Sequence, residues 1–211
     1  MNTAVDYYFS VASPWTFLGS ERFLRLVKHT GTEVNVRPMD FAQVLAASGG
    51  LPYQQRAMQR ASYRQIDLAR WRCRLGIALT LEPKFYPVDR TPASHLVIAA
   101  RASGSSAALE VSHAILRAIW QEDRNIADWQ TLAEVACEAG FDGAALVDAA
   151  QAPDIAQAFR HDTACAIKAE VFGAPTWVVD SERFWGQDRL DFLEEKISQK
   201  VKRVPVVRMH D

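Results

Sequence analysis

The chain has 211 residues, of which 49% are hydrophobic and 23% are charged, and its formal net charge is -1. These values exclude a disordered or collagen-like chain, and the near-zero charge gives no whole-protein field that would attract nucleic acid or an anionic membrane. Apolar runs stay far below the roughly 20 residues that a bilayer requires. We therefore predict a soluble cytoplasmic protein made of one large domain, or of a core that carries an insertion.

The chain opens with a β-α-β pattern. The segment Val5–Phe9 is aromatic and β-branched, as is typical of a strand, and a helix pattern follows over residues 14–28. Ser13 is a favoured N-cap residue, and Pro14 suits the first helical position, where its missing N–H breaks no hydrogen bond. Alternating apolar residues over 34–39 predict a second strand.

The region from residue 42 to residue 166 is predicted to be entirely helical. Glycine and proline residues separate its helix patterns, which are clear at 54–75 and 105–120, with further helix starts at Thr91 and Asp128. The 54–75 segment carries two apolar stripes. Such a wide apolar surface predicts a helix that is buried on two sides.

Strand patterns return after the helical region. Thr176–Val179 is predicted to be a strand, residues 184–185 belong to its returning partner, and residues 186–188 cap a last helix. A β-α-β half and a β-β-α half separated by a long helical block have the layout of an α/β, thioredoxin-like fold with a large all-helical insertion. The predicted thioredoxin-like domain comprises residues 1–41 and 167–211, and the inserted helical domain comprises residues 42–166.

The cysteines and histidines carry no motif. Cys73, Cys137 and Cys165 are far apart and form no C-x-x-C pair. We predict that all three are reduced and buried, without a catalytic or metal-binding role. The five histidines form no ligand pattern such as H-E-x-x-H, so the sequence predicts no metal site.

Ser13 is the first candidate for a functional residue because it lies where the first strand meets the first helix. In thioredoxin-like proteins this junction carries the reactive cysteine, because the N–H groups and positive potential of a helix N-terminus stabilise a thiolate. Here a serine occupies the junction. The chain thus offers a place that stabilises an anion but no sulfur, and we infer that a thiol arrives with a ligand. The alternative is that Ser13 is only a helix cap.

Pro175 is the second candidate, in the stretch Gly173-Ala174-Pro175-Thr176 that enters a strand. In the thioredoxin-like fold the proline at this place is cis, and the residue before it keeps its N–H and C=O free to bind a peptide backbone. We predict a cis Pro175 and an Ala174 N–H that points towards the Ser13 helix end. An ordinary proline at a sheet edge is the alternative.

The third candidate is the pair Gln187 and Asp188 at the start of the last helix. A carboxylate and backbone amides beside a cis-proline would form one polar site, suited to the α-amino and α-carboxylate groups of a peptide. Asp188 taken alone is better explained as a capping residue. Its assignment to a site requires that it lie in the same cleft as Ser13.

Five motifs follow one another along nearly the whole chain: Ser13-Pro14 after an aromatic strand, Tyr63 with Asp67-Leu68-Ala69-Arg70-Trp71, Pro83-Lys84-Phe85-Tyr86-Pro87, Phe172-Gly173-Ala174-Pro175-Thr176 and Trp185-Gly186-Gln187-Asp188-Arg189-Leu190. Together they resemble the 2-hydroxychromene-2-carboxylate isomerases and their relatives, the kappa-class glutathione transferases. The resemblance implies a DsbA-like thioredoxin fold and glutathione as cofactor. It also implies that Ser13 stabilises the glutathione thiolate.

The same resemblance assigns further residues to glutathione. Ala174 would pair through its backbone with the cysteinyl part, while Gln187 and Asp188 would hold the γ-glutamyl end. A family lysine that contacts glutathione falls at Arg60, which keeps the positive charge and adds a fork of donors. A family asparagine falls at Gly50, which has no side chain to make that contact.

The function implied is a glutathione-dependent isomerase of an aromatic-catabolism intermediate, in which a thiolate adds reversibly to an unsaturated carbon of a small aromatic carboxylate. We expect no nucleic-acid or membrane partner, and a homodimer is left open. Two alternatives remain: a kappa-like glutathione transferase or peroxidase, and a non-catalytic thioredoxin-like module that binds peptides at Ala174 and Pro175. A dithiol oxidoreductase is disfavoured because neither Ser13 nor Thr16 is a cysteine.

A row of arginines is the last feature. Arg56, Arg60 and Arg64 recur every four residues within a helix pattern, so we expect them to share one helix face. Carboxylates of glutathione and of the substrate could meet them there. The alternative is a solvated face, and for Arg64 we predict that solvated position.

Overall fold

A computed structural model describes residues 4–203 of the chain. Four strands form one mixed sheet in the order β2-β1-β3-β4, with β2 parallel to β1 and the other neighbours antiparallel. In chain order the elements are β1 (Val5–Phe9), α1 (Pro14–Thr30), β2 (Val34–Pro38), α2 (Phe41–Ala47), α3 (Met58–Leu75), α4 (Thr91–Ala100), α5 (Ser105–Trp120), α6 (Trp129–Glu138), α7 (Gly143–Ala150), α8 (Pro153–Lys168), β3 (Thr176–Val179), β4 (Glu182–Trp185) and α9 (Leu190–Arg203).

Helix α1 begins where its sequence signals predict and ends two residues beyond its predicted end. Ser13 Oγ accepts a hydrogen bond from the Thr16 N–H at 3.3 Å, and Pro14 occupies the first turn. At the other end Gly31 adopts a left-handed conformation, with φ of 64°, and its N–H donates to the Val27 carbonyl. The helix therefore extends to Thr30, slightly beyond the predicted end.

The sheet has an aromatic centre that fixes the position of α1. The ring of Tyr7 on β1 stacks on Phe9 at 4.4 Å and on Trp177 of β3 at 5.5 Å, measured between ring centroids. Phe23 of α1 packs against both Tyr7 and Trp177. Burying rings of this size contributes much of the stability of a small core. The sheet order, with α1 crossing from β1 to β2, is the predicted thioredoxin arrangement.

The helices between β2 and β3 pack on this sheet and share its apolar core. Ile115, Leu116 and Trp120 of α5 are fully buried in the same cluster as the β1 side chains. A buried carboxylate, Asp162 of α8, pairs with Arg37 of β2 at 2.9 Å and with Arg101, which follows α4. The division into a thioredoxin-like domain and an inserted domain at residues 42–166 stays a prediction.

The predicted burial of the 54–75 segment is wrong. Residues 53–55 form a separate 3-10 turn, α3 begins at Met58, and Leu68 is the one buried side chain of that helix. Ile66 is 50% exposed. The side of α3 that carries Leu68, Trp71 and Leu75 packs on the core, whereas Ile66 and Cys73 lie on a side that no other segment within residues 4–203 covers.

The cysteines also depart from the prediction of burial. All three are free thiols, but Cys73 and Cys137 are exposed and Cys165 is partly exposed. Cys73 lies on the outer side of α3, and Cys137 lies near the exposed end of α6.

The predicted C-terminal boundary of the thioredoxin-like domain, at residue 211, lies outside the residues that the structure describes, which end with α9 at Arg203. Within residues 4–203 the helices are all too short or too polar to cross a bilayer.

Candidate active site

A cleft of about 790 Å³ lies between the N-terminus of α1, the turn before β3, the turn before α9, and α3. It brings together five of the predicted site residues: Ser13, Arg60, Ala174, Gln187 and Asp188 all line it. Pro175 is buried beneath the lining. We call the surface formed by Ser13, Ala174, Gln187 and Asp188 the sheet wall, and the surface formed by Arg56, Arg60 and Arg64 the arginine wall.

Ser13 is the helix cap of α1 and a buried polar residue of the sheet wall. Its Oγ accepts from the Thr16 N–H and lies 3.5 Å from the Ala174 carbonyl oxygen, to which it donates a long hydrogen bond. A hydrogen bond of that length is weak. The hydroxyl proton is therefore easily redirected to a stronger acceptor, and a thiolate at a helix N-terminus is such an acceptor.

The turn before β3 has the predicted cis-proline. The Ala174–Pro175 peptide bond is cis, which confirms that prediction, and the Pro175 carbonyl accepts from the Gly186 N–H at 2.9 Å. The sheet pairing with β1 begins only at Thr176, so Ala174 lies beyond the ladder. The Ala174 group that faces Ser13 is the carbonyl, whereas the predicted direction of its N–H stays a prediction.

Asp188 lies in the cleft, as its assignment required, and its carboxylate pairs with Arg189 at 2.8 Å. Gln187 is 2% exposed, and its side-chain oxygen accepts from Arg22 of α1 at 3.1 Å. Gly19 of α1 allows this close packing, since a Cβ there would lie 2.9 Å from Gln187 Cβ. The Gln187 side chain thus joins the turn to α1 and leaves Asp188 as the charged group of the sheet wall.

Phe172 and Trp185 form an aromatic rim at the edge of the sheet wall. Both residues belong to motifs that the sequence analysis quoted, but no role was predicted for their side chains. Phe172 and Trp185 are 43% and 51% exposed and contact each other edge to face at 4.7 Å. The indole of Trp185 lies directly over Gly173, where a Cβ would be only 2.0 Å from its Nε1. Glycine at position 173 is therefore required for the indole to lie flat against the turn.

The arginine wall differs from the predicted row on one helix face. Arg60 and Arg64 belong to α3, but Arg56 follows the 3-10 turn, where its Nε donates to the Leu51 carbonyl at 3.0 Å. All three nevertheless line the cleft. Partial burial lowers the pKa of Arg56, and repulsion from Arg60 and Arg64 lowers it further.

The prediction of a solvated Arg64 is wrong. Its guanidinium lies over the ring of Tyr53 at 4.7 Å and near the ring of Tyr86 at 5.8 Å, measured from Cζ to the ring centroids. Both rings also line the cleft. Stacking of this kind holds a guanidinium in place and keeps its donor edge free. The sequence spacing gave no sign of this contact because the tyrosines come from separate segments.

Gly50 packs closely against the side chain of Leu45. A Cβ at Gly50 would lie 2.5 Å from Leu45 Cδ2, and Leu45 lines the cleft. The absence of a side chain at position 50 therefore leaves the space that the Leu45 side chain occupies. An asparagine, which the resemblance led us to compare, would require Leu45 to move.

The chemistry available in the cleft is restricted. Among the residues that line it there is no cysteine, histidine or lysine. The described part of the chain also has no cluster of three His, Cys, Asp or Glu side chains able to hold a metal ion. Ser13 therefore has no histidine or lysine in the lining to act as its base, and a dithiol role lacks the protein sulfur.

Comparison with known proteins gives a consistent picture. The family model of the DSBA-like thioredoxin domain matches residues 4–198. The chain is 30% identical over 195 residues to 2-hydroxychromene-2-carboxylate isomerase from Sphingobium xenophagum, covering 92% of this chain and 97% of that protein.

Solved structures with the same fold include a 2-hydroxychromene-2-carboxylate isomerase, with a TM-score of 0.79, 26% identity, and coverage of 95% of this chain and 97% of that one. The cytosolic disulfide reductase DsbM from Pseudomonas aeruginosa with GSH aligns with a TM-score of 0.62 at 21% identity, over 92% of this chain and 99% of that one. The fold is therefore DsbA-like, as predicted.

Proposed function

Because the chain belongs to the 2-hydroxychromene-2-carboxylate isomerase family of DSBA-like thioredoxin-domain proteins, we propose that it is a glutathione-dependent isomerase of an aromatic-catabolism intermediate of that type. One observation carries the proposal. A serine hydroxyl, weakly bonded to the Ala174 carbonyl, occupies the helix N-terminus that receives sulfur in this fold, in a cleft whose lining contains no cysteine. The sulfur must then come from a ligand.

When bound, glutathione supplies a thiolate that adds reversibly to an unsaturated carbon conjugated with a carbonyl or carboxylate group of the substrate. The Ser13 hydroxyl would donate a hydrogen bond to that sulfur, and the N-terminus of α1 would add positive potential. A free thiol with a pKa of about 8.5 is only a few per cent ionised at pH 7. Lowering its pKa by one to two units would increase the ionised fraction about tenfold.

The residues of the cleft fit the remainder of a tripeptide thiol. The backbone of Ala174 lies beyond the sheet ladder, where it can pair with an extended peptide. Asp188 offers a carboxylate to the γ-glutamyl amine, and Arg60 offers a guanidinium to a carboxylate. A cleft of about 790 Å³ falls within the range of pockets that hold a ligand of drug size.

Product analysis separates this function from a glutathione transferase or peroxidase. With 2-hydroxychromene-2-carboxylate and catalytic glutathione, an isomerase converts the substrate many times over and leaves the free thiol concentration unchanged. A transferase consumes one thiol for each turnover, and a peroxidase oxidises two. Loss of thiol in proportion to product would overturn the isomerase assignment.

A covalent capture experiment tests the sulfur position independently of any substrate. The Ser13→Cys variant should form a mixed disulfide with oxidised glutathione, because it places a protein thiol where we propose that the glutathione sulfur is received. The natural thiols, of which Cys73 is exposed, give the background in the unchanged protein. Labelling of the variant at no more than that background would contradict the proposal and favour a peptide-binding module.

A further inference from the structure

The arginine wall carries positive charge that the protein itself does not neutralise. The cleft is lined by five guanidiniums and two carboxylates, whereas the whole chain has a net charge of -1. Within residues 4–203, no Asp or Glu carboxylate forms an ion pair with Arg56, Arg60 or Arg64, although surface arginines elsewhere are paired. Three adjacent guanidiniums without anions repel one another, so the wall is suited to an anionic ligand.

Glutathione accounts for only part of this charge. With a thiolate it has three negative groups and one positive group, and the sheet wall already provides Asp188 for the positive one. Arg60 is assigned to glutathione. Arg64 lies further along α3, on the side of Tyr53 and Tyr86, and its guanidinium is the one held by aromatic rings. A second anion beside two aromatic faces matches a substrate that contains a ring and a carboxylate.

We propose that Arg64, held between the rings of Tyr53 and Tyr86, is a specificity-determining residue that binds the carboxylate of an aromatic acid substrate. This inference rests on the proposed function, because it assigns to the substrate the guanidinium of Arg64, which glutathione does not use. Arg64 would bind the carboxylate through its donor edge, and the tyrosine rings would orient the guanidinium and border the substrate ring. Tyr53 and Tyr86 then act as positioning residues for Arg64.

The test uses two probes that differ in charge but hardly in shape, salicylate and salicylamide, with affinity measured by calorimetry on the full chain. The unchanged protein should bind salicylate at least tenfold more tightly than salicylamide. The Arg64→Gln variant should lose about ten- to a hundredfold in salicylate affinity and little in salicylamide affinity, because a charge-assisted hydrogen bond is lost. Equal losses for both probes, or no loss, would overturn the assignment.

A matched control comes from the same helix. Arg70 is exposed on α3 and does not line the cleft, so Arg70→Gln removes the same charge at a distance and should leave both affinities unchanged. If Arg70→Gln lost as much salicylate affinity as Arg64→Gln, the effect would come from the total charge of the protein, and the proposal would be overturned. Tyr53→Leu should weaken the preference for salicylate by a factor of about two to five, as expected for a lost cation–π contact.

Glutathione binding, followed by the ultraviolet absorbance of the bound thiolate, distinguishes failure of this proposal from failure of the proposed function. Arg64→Gln should leave glutathione binding unchanged, and a loss of that binding would place Arg64 in the glutathione site and overturn its assignment to substrate. If the unchanged protein binds no glutathione yet keeps the Arg64-dependent preference for salicylate, the isomerase proposal fails while this one is supported.

Discussion

The two walls of the cleft are built in different ways. The sheet wall is fixed by the fold: Ser13 caps α1, Gln187 is buried against α1, and Pro175 is bonded to the turn before α9. Of the arginine wall, Arg60 and Arg64 lie on α3, which has Leu68 as its one buried side chain. A densely packed wall holds hydrogen-bonding groups at fixed distances, whereas a lightly packed one tolerates change in the residues that face a ligand. We infer that the sheet wall positions the reacting sulfur, whereas Arg64 of the arginine wall contributes to the choice of substrate.

The largest expected effect is a loss of unfolding free energy when a buried leucine is removed beneath either wall. Leu18 of α1 and Leu68 of α3 are both fully buried, and removing such a side chain costs about 2 to 5 kcal/mol. Leu18→Ala should lower the global free energy of unfolding, measured by chemical denaturation, by that amount. Leu68→Ala should have a smaller global effect and should instead accelerate amide hydrogen exchange across residues 58–75, because α3 can detach locally. Identical global losses with unchanged exchange in α3 would refute the difference between the walls.

Ser13→Ala should lower isomerisation at neutral pH by about ten- to a hundredfold, which corresponds to the 1.5 to 3 kcal/mol of a hydrogen bond to a charged group. The pKa of the bound thiol should rise, while glutathione affinity should change only a few-fold because Ala174 and Asp188 remain. Titration of the thiolate absorbance against pH checks the cause. Ser20→Ala, a loss of a buried serine on the same helix outside the cleft, should leave that titration unchanged.

Asp188→Asn should weaken glutathione binding by about three- to tenfold, since the lost charge is partly exposed and solvent screens its interaction with an amine. Calorimetry with glutathione measures the change. Asp191 is the matched control because its carboxylate is exposed, pairs with Arg22 and lies outside the lining of the cleft. If Asp191→Asn weakens binding as much as Asp188→Asn, the effect comes from the general field at this end of the sheet wall.

The smallest expected effect concerns pH. His113 of α5 bonds to Ser20 of α1 at 2.8 Å, and burial lowers its pKa, with Arg117 adding to the shift and Glu21 opposing it. The unfolded chain then binds a proton more readily than the folded one, so this contribution to stability is present above about pH 6.5 and is lost as the pH falls below it. His113→Gln should flatten the fall in unfolding free energy between pH 7 and pH 5, by roughly 1 kcal/mol or less.

Denaturation at each pH gives that slope, and His29→Gln, at an exposed position near the end of α1, is the control. Parallel slopes for His113→Gln and the unchanged protein would exclude His113 as the source. The arginine wall contributes nothing to this slope, because guanidiniums stay protonated throughout the range. The two walls therefore also differ in their response to pH.

The local signals of the sequence were sufficient for most of the fold. The cis Pro175 was predicted from its place in the thioredoxin-like fold, whereas the Ser13-Pro14 start of α1 and the strands at 5–9 and 176–179 follow from a few neighbouring residues. Such features are decided by backbone sterics and short-range hydrogen bonds, which the sequence contains directly. The resemblance then brought Ser13, Ala174 and Asp188 to one site before any geometry was known, and their shared cleft agrees with it.

Tertiary structure decided what each helix face meets. The apolar stripes of α3 predicted burial on two sides, but no segment within residues 4–203 packs over the side that carries Ile66 and Cys73, so both are exposed. The guanidinium of Arg64 is held by the rings of Tyr53 and Tyr86. Periodicity along α3 could not identify these partners, because both tyrosines lie outside that helix. Helical spacing determines which residues point the same way, whereas only the packed chain determines whether solvent, a ligand or another segment stands opposite them.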